Sequence, residues 1–303
     1  MTLPASIEFV EVGARDGLQN EAVHVATADK LALIGRAIDA GARRLEVASF
    51  ANPRRVPQMA DAEAVCAGLP ARDDVTYIGL VMNARGAERA VATQRINQLG
   101  LVVVATDQFA IANQGQDAAG LMDMAGAILR DTAGSSLTAQ ATIAAAFGCP
   151  YEGEVAEARV IAMAEALAAA GAVEISLADT IGVANPAHVE RLVSAVRAAI
   201  APLPVRVHFH NTRGTGLANV WAAAVAGASV IDASIGGLGG CPFAPGAAGN
   251  VASEDVVYML ERAGVATGMD LGQLIAVSQW FGTLMDKQLP GLVSRAPAFP
   301  KAA

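Results

Sequence analysis

The chain has 303 residues, 53% hydrophobic and 17% charged, enough apolar material for one large core although aromatic residues make up only 4%. Its formal net charge of −8 excludes a mainly nucleic-acid-binding role, which needs a concentrated Lys/Arg surface. Glu165 and Asp232 interrupt the two most apolar windows before either reaches the length of a bilayer span, so no membrane partner is expected.

The opening Met1-Thr2-Leu3-Pro4 has neither a basic segment nor an apolar stretch behind it, so no targeting segment is expected. Cys66, Cys149 and Cys241 are an odd number without C-x-x-C spacing. Neither a disulfide framework nor a zinc knuckle is indicated, and a reducing cytoplasm fits them.

Short β-type runs alternate with helical patterns from end to end. Ile7–Val12 is the first predicted strand, followed by a helix over Thr27–Ala40 that Thr27 opens and Gly41 closes. Leu45–Ser49 is the second, with a helix around Asp61–Gly68; Val75–Met82 is the third, with a helix from Ala84 to about Gln98. Leu101–Ala105 is the fourth, with a helix near Ala118–Asp131; Leu137–Ala146 is the fifth, with a helix over Val155–Ala170. Val173–Leu177 is the sixth, and Pro186 opens the helix that runs to Ile200. Val205–His210 is the seventh, with a helix near Leu217–Ala226. Ser229–Ile235 is the eighth, leading to helices near Ser253–Arg262 and Leu271–Lys287.

Eight strand–helix units predict an α/β fold, a parallel (β/α)8 TIM barrel, as one domain over residues 1–303. A C-terminal helical appendage from about 253 and a loosely held tail from about 290 complete it. A doubly wound sheet would want a G-x-G-x-x-G turn after its first strand, and Gly13-Ala14-Arg15-Asp16-Gly17 lacks that form.

In a barrel the chemistry sits where the strands end. Arg15, Asp16 and Gln19 follow the first strand, Glu46 lies in the second, Asn83 ends the third, and Asp179 and Thr180 follow the sixth. His208 and His210 close the seventh, two residues apart and so on one face, with Val207 and Phe209 on the other. Asn250 and Glu254 come after the run Gly236-Gly237-Leu238-Gly239-Gly240-Cys241-Pro242. Asp16, His208, His210 and Asn250 make a candidate cation site of one carboxylate, two imidazoles and one amide oxygen. Mixed N/O ligation with open positions suits Mg²⁺ or Mn²⁺. Each residue also has a plainer alternative: core histidines bonded to carbonyls, an Asp16–Arg15 ion pair, Asn250 capping the helix near Ser253. The glycine run lacks the Lys-Ser/Thr of a P-loop. Its glycines read as hinges that swing Cys241 over a substrate, the alternative being a small apolar filler, as for Cys66 and Cys149.

Val10 through Glu21 with its Gly13-Ala14-Arg15-Asp16-Gly17, Ser49-Phe50 through Met59, Gly148 through Gly153, Glu174 through Val183, His208-x-His210, and Gly236 through Asn250 together resemble the 3-hydroxy-3-methylglutaryl-CoA lyase family of metal-dependent barrel lyases. The likeness covers nearly the whole chain. It implies that Asp16, His208, His210 and Asn250 hold the divalent cation, that Arg15 polarises the thioester carbonyl, that Glu46 orders the site, and that Cys241 is the catalytic thiol. Gln19, Thr180 and Arg213 join Arg15 as expected substrate contacts. The implied reaction is a retro-Claisen cleavage: a base, Asp16 or His208, takes the proton of a metal-bound tertiary hydroxyl and the carbon–carbon bond breaks. A keto acid (acetoacetate for the family substrate) and acetyl-CoA result. The resemblance also implies an acyl-CoA thioester as partner and a place in leucine degradation, and apolar C-terminal helices suggest a homodimer or higher oligomer.

Two stretches depart from the family pattern. After H-x-H the run is Asn211-Thr212-Arg213, where an acid, Thr and an aromatic are usual, and the fifth strand ends in Ala144-Ala145-Ala146-Phe147 without the expected small polar residue. Both bear on the acyl pocket, so citramalyl-CoA is an alternative substrate. A Claisen-condensing synthase usually carries a long C-terminal regulatory region, and this chain ends soon after the barrel. A non-catalytic barrel would have lost site residues, and Arg15, Asp16, His208, His210, Cys241 and Asn250 are all present.

Overall fold

In the structure, a computed structural model describing residues 3–240, 249–297 and 299, the alternation closes into a ring. The strands are β1 (Glu8–Glu11), β2 (Arg44–Ser49), β3 (Thr76–Val81), β4 (Gln98–Val104), β5 (Thr138–Ala144), β6 (Ile175–Asp179), β7 (Val205–Phe209) and β8 (Val230–Ala233). Each pairs in parallel with the next, and β8 pairs with β1 to close the barrel. The strands are covered by helices outside and filled by side chains inside, so they read as apolar runs such as Leu101-Val102-Val103-Val104. This is the expected TIM barrel.

The outer layer comprises α1 (Thr27–Asp39), α2 (Ala62–Gly68), α3 (Ala84–Ala92), α4 (Asp107–Gln114), α5 (Ala118–Thr132), α6 (Glu157–Ala169), α7 (Pro186–Ile200) and α8 (Gly216–Ala226), followed by α9 (Ser253–Arg262) and α10 (Leu271–Leu284). The starts follow from local chemistry. Asn185 caps α7 by accepting the His188 N–H at 3.1 Å, and Pro186 occupies the first helical position, where its missing N–H costs nothing. Asn83, expected on the functional rim, instead caps α3 through the Gly86 N–H at 2.9 Å.

Some boundaries differ from the sequence reading. The helix expected to run from Ala84 to Gln98 stops at Ala92, because Gln94 takes a positive φ of 54° and Asn97 turns to accept the Tyr77 N–H at 2.9 Å. Gln98 therefore opens β4, and Gly100 inside that strand leaves room for the Gln140 side chain, whose Nε2 would lie 3.1 Å from an added Cβ. The sequence pattern does not predict helix α4, which is short, weakly amphipathic and closed by Gly115 at φ 82°. Residues 292–294 at the start of the expected loose tail are tied down: Asp255 accepts the Leu292 and Val293 N–H groups at 3.0 and 2.7 Å, and Gln279 donates to the Ser294 carbonyl. Cys149 is more than filler, since its Sγ accepts from Thr106 Oγ1 at 3.0 Å and from the Tyr151 and Glu152 amides.

Candidate active site

Where β1 ends, the N–H groups of Arg15, Asp16 and Gly17 all converge on the Val12 carbonyl. The resulting π-type turn, Gly13–Gly17, turns Arg15 and Asp16 towards the barrel axis. Glu11 holds the turn from beneath: Oε1 accepts from the Gly13 and Ile235 N–H groups at 2.7 and 3.0 Å, and Oε2 meets Ser253 Oγ at 2.5 Å. Burial and the neighbouring Glu254, against these hydrogen bonds, push the Glu11 carboxyl up to about 7.

Across the mouth, the chain returns from the glycine run to lie beside β7. Asn211 N–H donates to the Gly249 carbonyl at 2.6 Å and Val251 N–H to Phe209 at 3.2 Å, which seats Asn250 opposite His210. Asn250 Nδ2 donates to Asp16 Oδ2 and to the Leu238 carbonyl, both at 2.9 Å. Its expected alternative as a helix cap is not what it does. Asp16 does pair with Arg15, as the plainer reading had it, while also facing the histidines.

Ligand atoms of Asp16, His208 and His210 lie within 4.8 Å of one another, a possible metal site. Asn250 Oδ1 and His210 Nδ1 are buried with no hydrogen-bond partner among the described residues. Buried polar atoms left without a partner are costly unless something else satisfies them. One carboxylate, two imidazoles and one amide oxygen with room left over fit a divalent cation.

The electrostatics of the three groups pull in different directions. Burial opposes a charge on Asp16, but Arg15, the two histidines and the Asn250 hydrogen bond hold its carboxyl well below the usual range. Burial also opposes a charged His208, yet Asp232, bonded to Nδ1 at 2.7 Å, and Asp16 beyond it raise the ring to about 9. His210, buried and beside that ring at 5.0 Å between centroids, falls to about 4.

Arg15 Nε donates to Glu46 Oε2 at 2.7 Å, and Glu46 Oε1 accepts from Arg206 Nη2 at 2.7 Å. Arg206 Nε in turn donates to Asp232 Oδ2 at 2.7 Å. Arg206 and Asp232 are functional candidates that the sequence reading missed. A signal existed, since the alternation that puts His208 and His210 on one face of β7 puts Arg206 there too. Asp232 is likewise a lone acid in an otherwise apolar strand.

These groups line a cavity of about 210 Å³ together with the apolar Leu80, Met82, Val102, Val104, Phe109 and Ala144 and the polar Asn113, Thr142 and Ser176. Gln19 and Thr180 line it as well: Gln19 Oε1 is buried without a partner, and Thr180 Oγ1 accepts the Ala145 N–H at 2.9 Å. Arg213 does not reach the cavity lining. Its Nη1 donates to the Ile181 and Gly182 carbonyls at 2.7 and 3.1 Å instead of making the substrate contact expected of it. Asp179 accepts the Val183 and Ala184 amides, and Glu254 accepts the Gly236 amide, so both serve loops rather than the cavity. Cys241 lies outside the described residues.

Comparison with known proteins places the chain among enzymes. The HMGL-like family model matches residues 6–280. A hydroxymethylglutaryl-CoA lyase of Bacillus subtilis is 40% identical over 290 residues, covering 96% of this chain and 97% of that protein. An (R)-citramalyl-CoA lyase of Chloroflexus aurantiacus is 41% identical over 307 residues, covering 98% and 96%. The structure of an HMG-CoA lyase from Acinetobacter baumannii, in complex with coenzyme A and 3-methylmalate, superposes with a TM-score of 0.94 at 39% identity, covering 100% of this chain and 99% of that one.

Proposed function

The chain belongs to the HMGL-like family of carbon–carbon lyases, and from that premise we propose that it cleaves 3-hydroxy-3-methylglutaryl-CoA, or a close 3-hydroxy-acyl-CoA, to acetyl-CoA and a keto acid. One arrangement supports the reading best: Asp16, His208 and His210 converge, with Asn250 Oδ1 and His210 Nδ1 buried and unpartnered among the described residues, directly next to the Arg15 guanidinium. A divalent cation, Mg²⁺ or Mn²⁺, held there by Asp16, His208, His210 and Asn250 would act as a Lewis acid on a substrate hydroxyl and carboxylate.

The protein's own groups do the rest. The hydroxyl proton passes to the Asp16–His208 pair as general base, with His208 Nδ1 held by Asp232 and Nε2 turned towards Asp16. As the hydroxyl oxygen becomes a carbonyl, the carbon–carbon bond breaks and its electron pair moves into the thioester as an enolate. Arg15, fixed by Glu46 on one side and Asp16 on the other, donates to that enolate oxygen. Cys241 is our candidate for delivering the closing proton to carbon. Gln19 and Thr180 contact the acyl chain, and the apolar part of the lining keeps water from the enolate.

No helix among the described residues is long and apolar enough to cross a membrane. Free, buried Cys66 and Cys149 favour a reducing cytoplasm, and the apolar C-terminal helices a homodimer. A second substrate, citramalyl-CoA, is favoured by the 41% identity to the Chloroflexus enzyme. The test is a coupled assay over a panel of 3-hydroxy-acyl-CoA thioesters. The highest kcat/KM is expected for 3-hydroxy-3-methylglutaryl-CoA, and no cleavage of any member would overturn the proposal.

A further inference from the structure

Six side chains at the barrel mouth form a closed circuit of alternating charge. It runs from Arg15 to Glu46, Arg206, Asp232, His208 and Asp16, and so back to Arg15. Arg206 is the one member to which the reaction above gives no role. It is 2% exposed and sits two residues before His208 on β7, on the same face but one level deeper in the barrel. Each carboxylate it holds uses its other oxygen on the chemical machinery. Glu46 Oε1 takes Arg206 Nη2 and Oε2 takes Arg15 Nε; Asp232 Oδ2 takes Arg206 Nε and Oδ1 takes His208 Nδ1, all at 2.7 Å.

We propose that Arg206 is a positioning residue: one rigid guanidinium fixes Glu46 and Asp232 together, and so sets where Arg15 stands relative to the His208 side of the metal site. Three physical points carry this. A guanidinium offers donors in a fixed planar fork, so two carboxylates bound to it are fixed in both separation and orientation, which a point-charge ammonium does not achieve. Without it, two buried carboxylates would face each other and drift apart or take up a proton. Finally, a buried ion network is no better for stability than well-packed apolar side chains, so its presence here answers a geometric need.

The proposal rests on the metal-lyase reading, and the test separates the two. Mn²⁺ alone is titrated into wild type and Arg206→Lys, folding is checked by Tm, and steady-state kinetics follow on the thioester that the wild type cleaves. Arg206→Lys keeps the charge and loses the fork. It is expected to weaken Mn²⁺ binding by about 10–100-fold, the usual range for partners behind a metal ligand. It should also lower kcat by a similar factor while KM moves less than about 3-fold. Arg44→Lys is the control: also buried, on β2, it pairs with Glu174 and Gln98 below the site and should leave Mn²⁺ affinity within about 2-fold. Wild-type Mn²⁺ affinity and kcat in Arg206→Lys, with only Tm lowered, would overturn the proposal. If that variant does not fold, Arg206→Met with Glu174→Gln removes one buried charge of each sign and is measured in the same way, with the same loss expected and an unchanged affinity equally fatal. A wild type that binds Mn²⁺ but cleaves nothing defeats the lyase reading, while the affinity ratio still decides the role of Arg206.

Discussion

Asp232→Asn separates the proton from the metal at His208. With no cation bound, Asp232 and Asp16 outweigh burial and raise His208 to about 9. A cation binds only the neutral ring, so at pH 7 it must displace a proton carried by roughly 99 molecules in 100. That competition weakens the apparent affinity about 100-fold, or about 2.7 kcal/mol, and relaxes about tenfold per pH unit until pH approaches 9. His210, lowered to about 4, is already neutral and adds no slope in this range. Removing the Asp232 charge takes away the largest influence that raises His208, so the variant's affinity should level off at a lower pH than the wild type's. The variant also loses the carboxylate that orients the ring, worth about 10–100-fold in affinity. The two effects oppose each other at low pH. The deficit is therefore expected to be fullest near pH 9 and small or reversed near pH 6.5. Calorimetric Mn²⁺ titration from pH 6.5 to 9.5, in two buffers of different ionisation enthalpy, gives both the affinity and the proton count. Near pH 7 wild type should release about one proton per cation and the variant fewer. A wild-type affinity independent of pH between 6.5 and 9 would refute the reasoning.

Glu11→Gln should flatten the pH dependence of stability. The folded-state value of about 7 lies above the ordinary 4.5, so this group's contribution is full below 4.5 and lost as pH rises through 7, a swing of about 3 kcal/mol. An amide keeps the bonds to Gly13, Ile235 and Ser253, so scanning calorimetry should find a higher Tm than wild type at pH 8; an equal fall in Tm from pH 5 to 8 in both proteins would count against it. Cys241→Ala should leave Mn²⁺ affinity unchanged and lower kcat by about 10²–10⁴, as losing a proton-transfer group does; wild-type kcat would reduce Cys241 to packing.

The barrel is legible in the sequence because buried parallel strands leave apolar runs at regular intervals, and the polar breaks in those runs mark the rim. Asp16, His208 and His210 stand out because each follows or ends such a run. Their convergence with Asn250 is a matter of tertiary structure, created by two backbone hydrogen bonds between segments some forty residues apart. Arg206 and Asp232 pass as ordinary interruptions of a strand, since nothing local says that one guanidinium reaches both Asp232 and Glu46, 26 and 160 residues away. Arg213 misleads for the opposite reason. Its position three residues beyond His210 looks like the barrel mouth, but Gly182 at φ 62° turns the preceding loop so that two carbonyls capture the guanidinium first. Gly100 and the short helix α4 show the same limit for boundaries, where a neighbouring side chain or a left-handed glycine overrides propensity.

The central claim is that one divalent cation between Asp16, His208, His210 and Asn250 carries the cleavage. The direct measurement is acetyl-CoA formation by EDTA-stripped protein, before and after Mg²⁺ or Mn²⁺ is restored, with His210→Ala alongside. Stripped protein should be inactive, restored wild type should cleave, and His210→Ala should keep its fold yet bind the cation weakly and stay inactive. Full cleavage by the stripped protein would contradict the account.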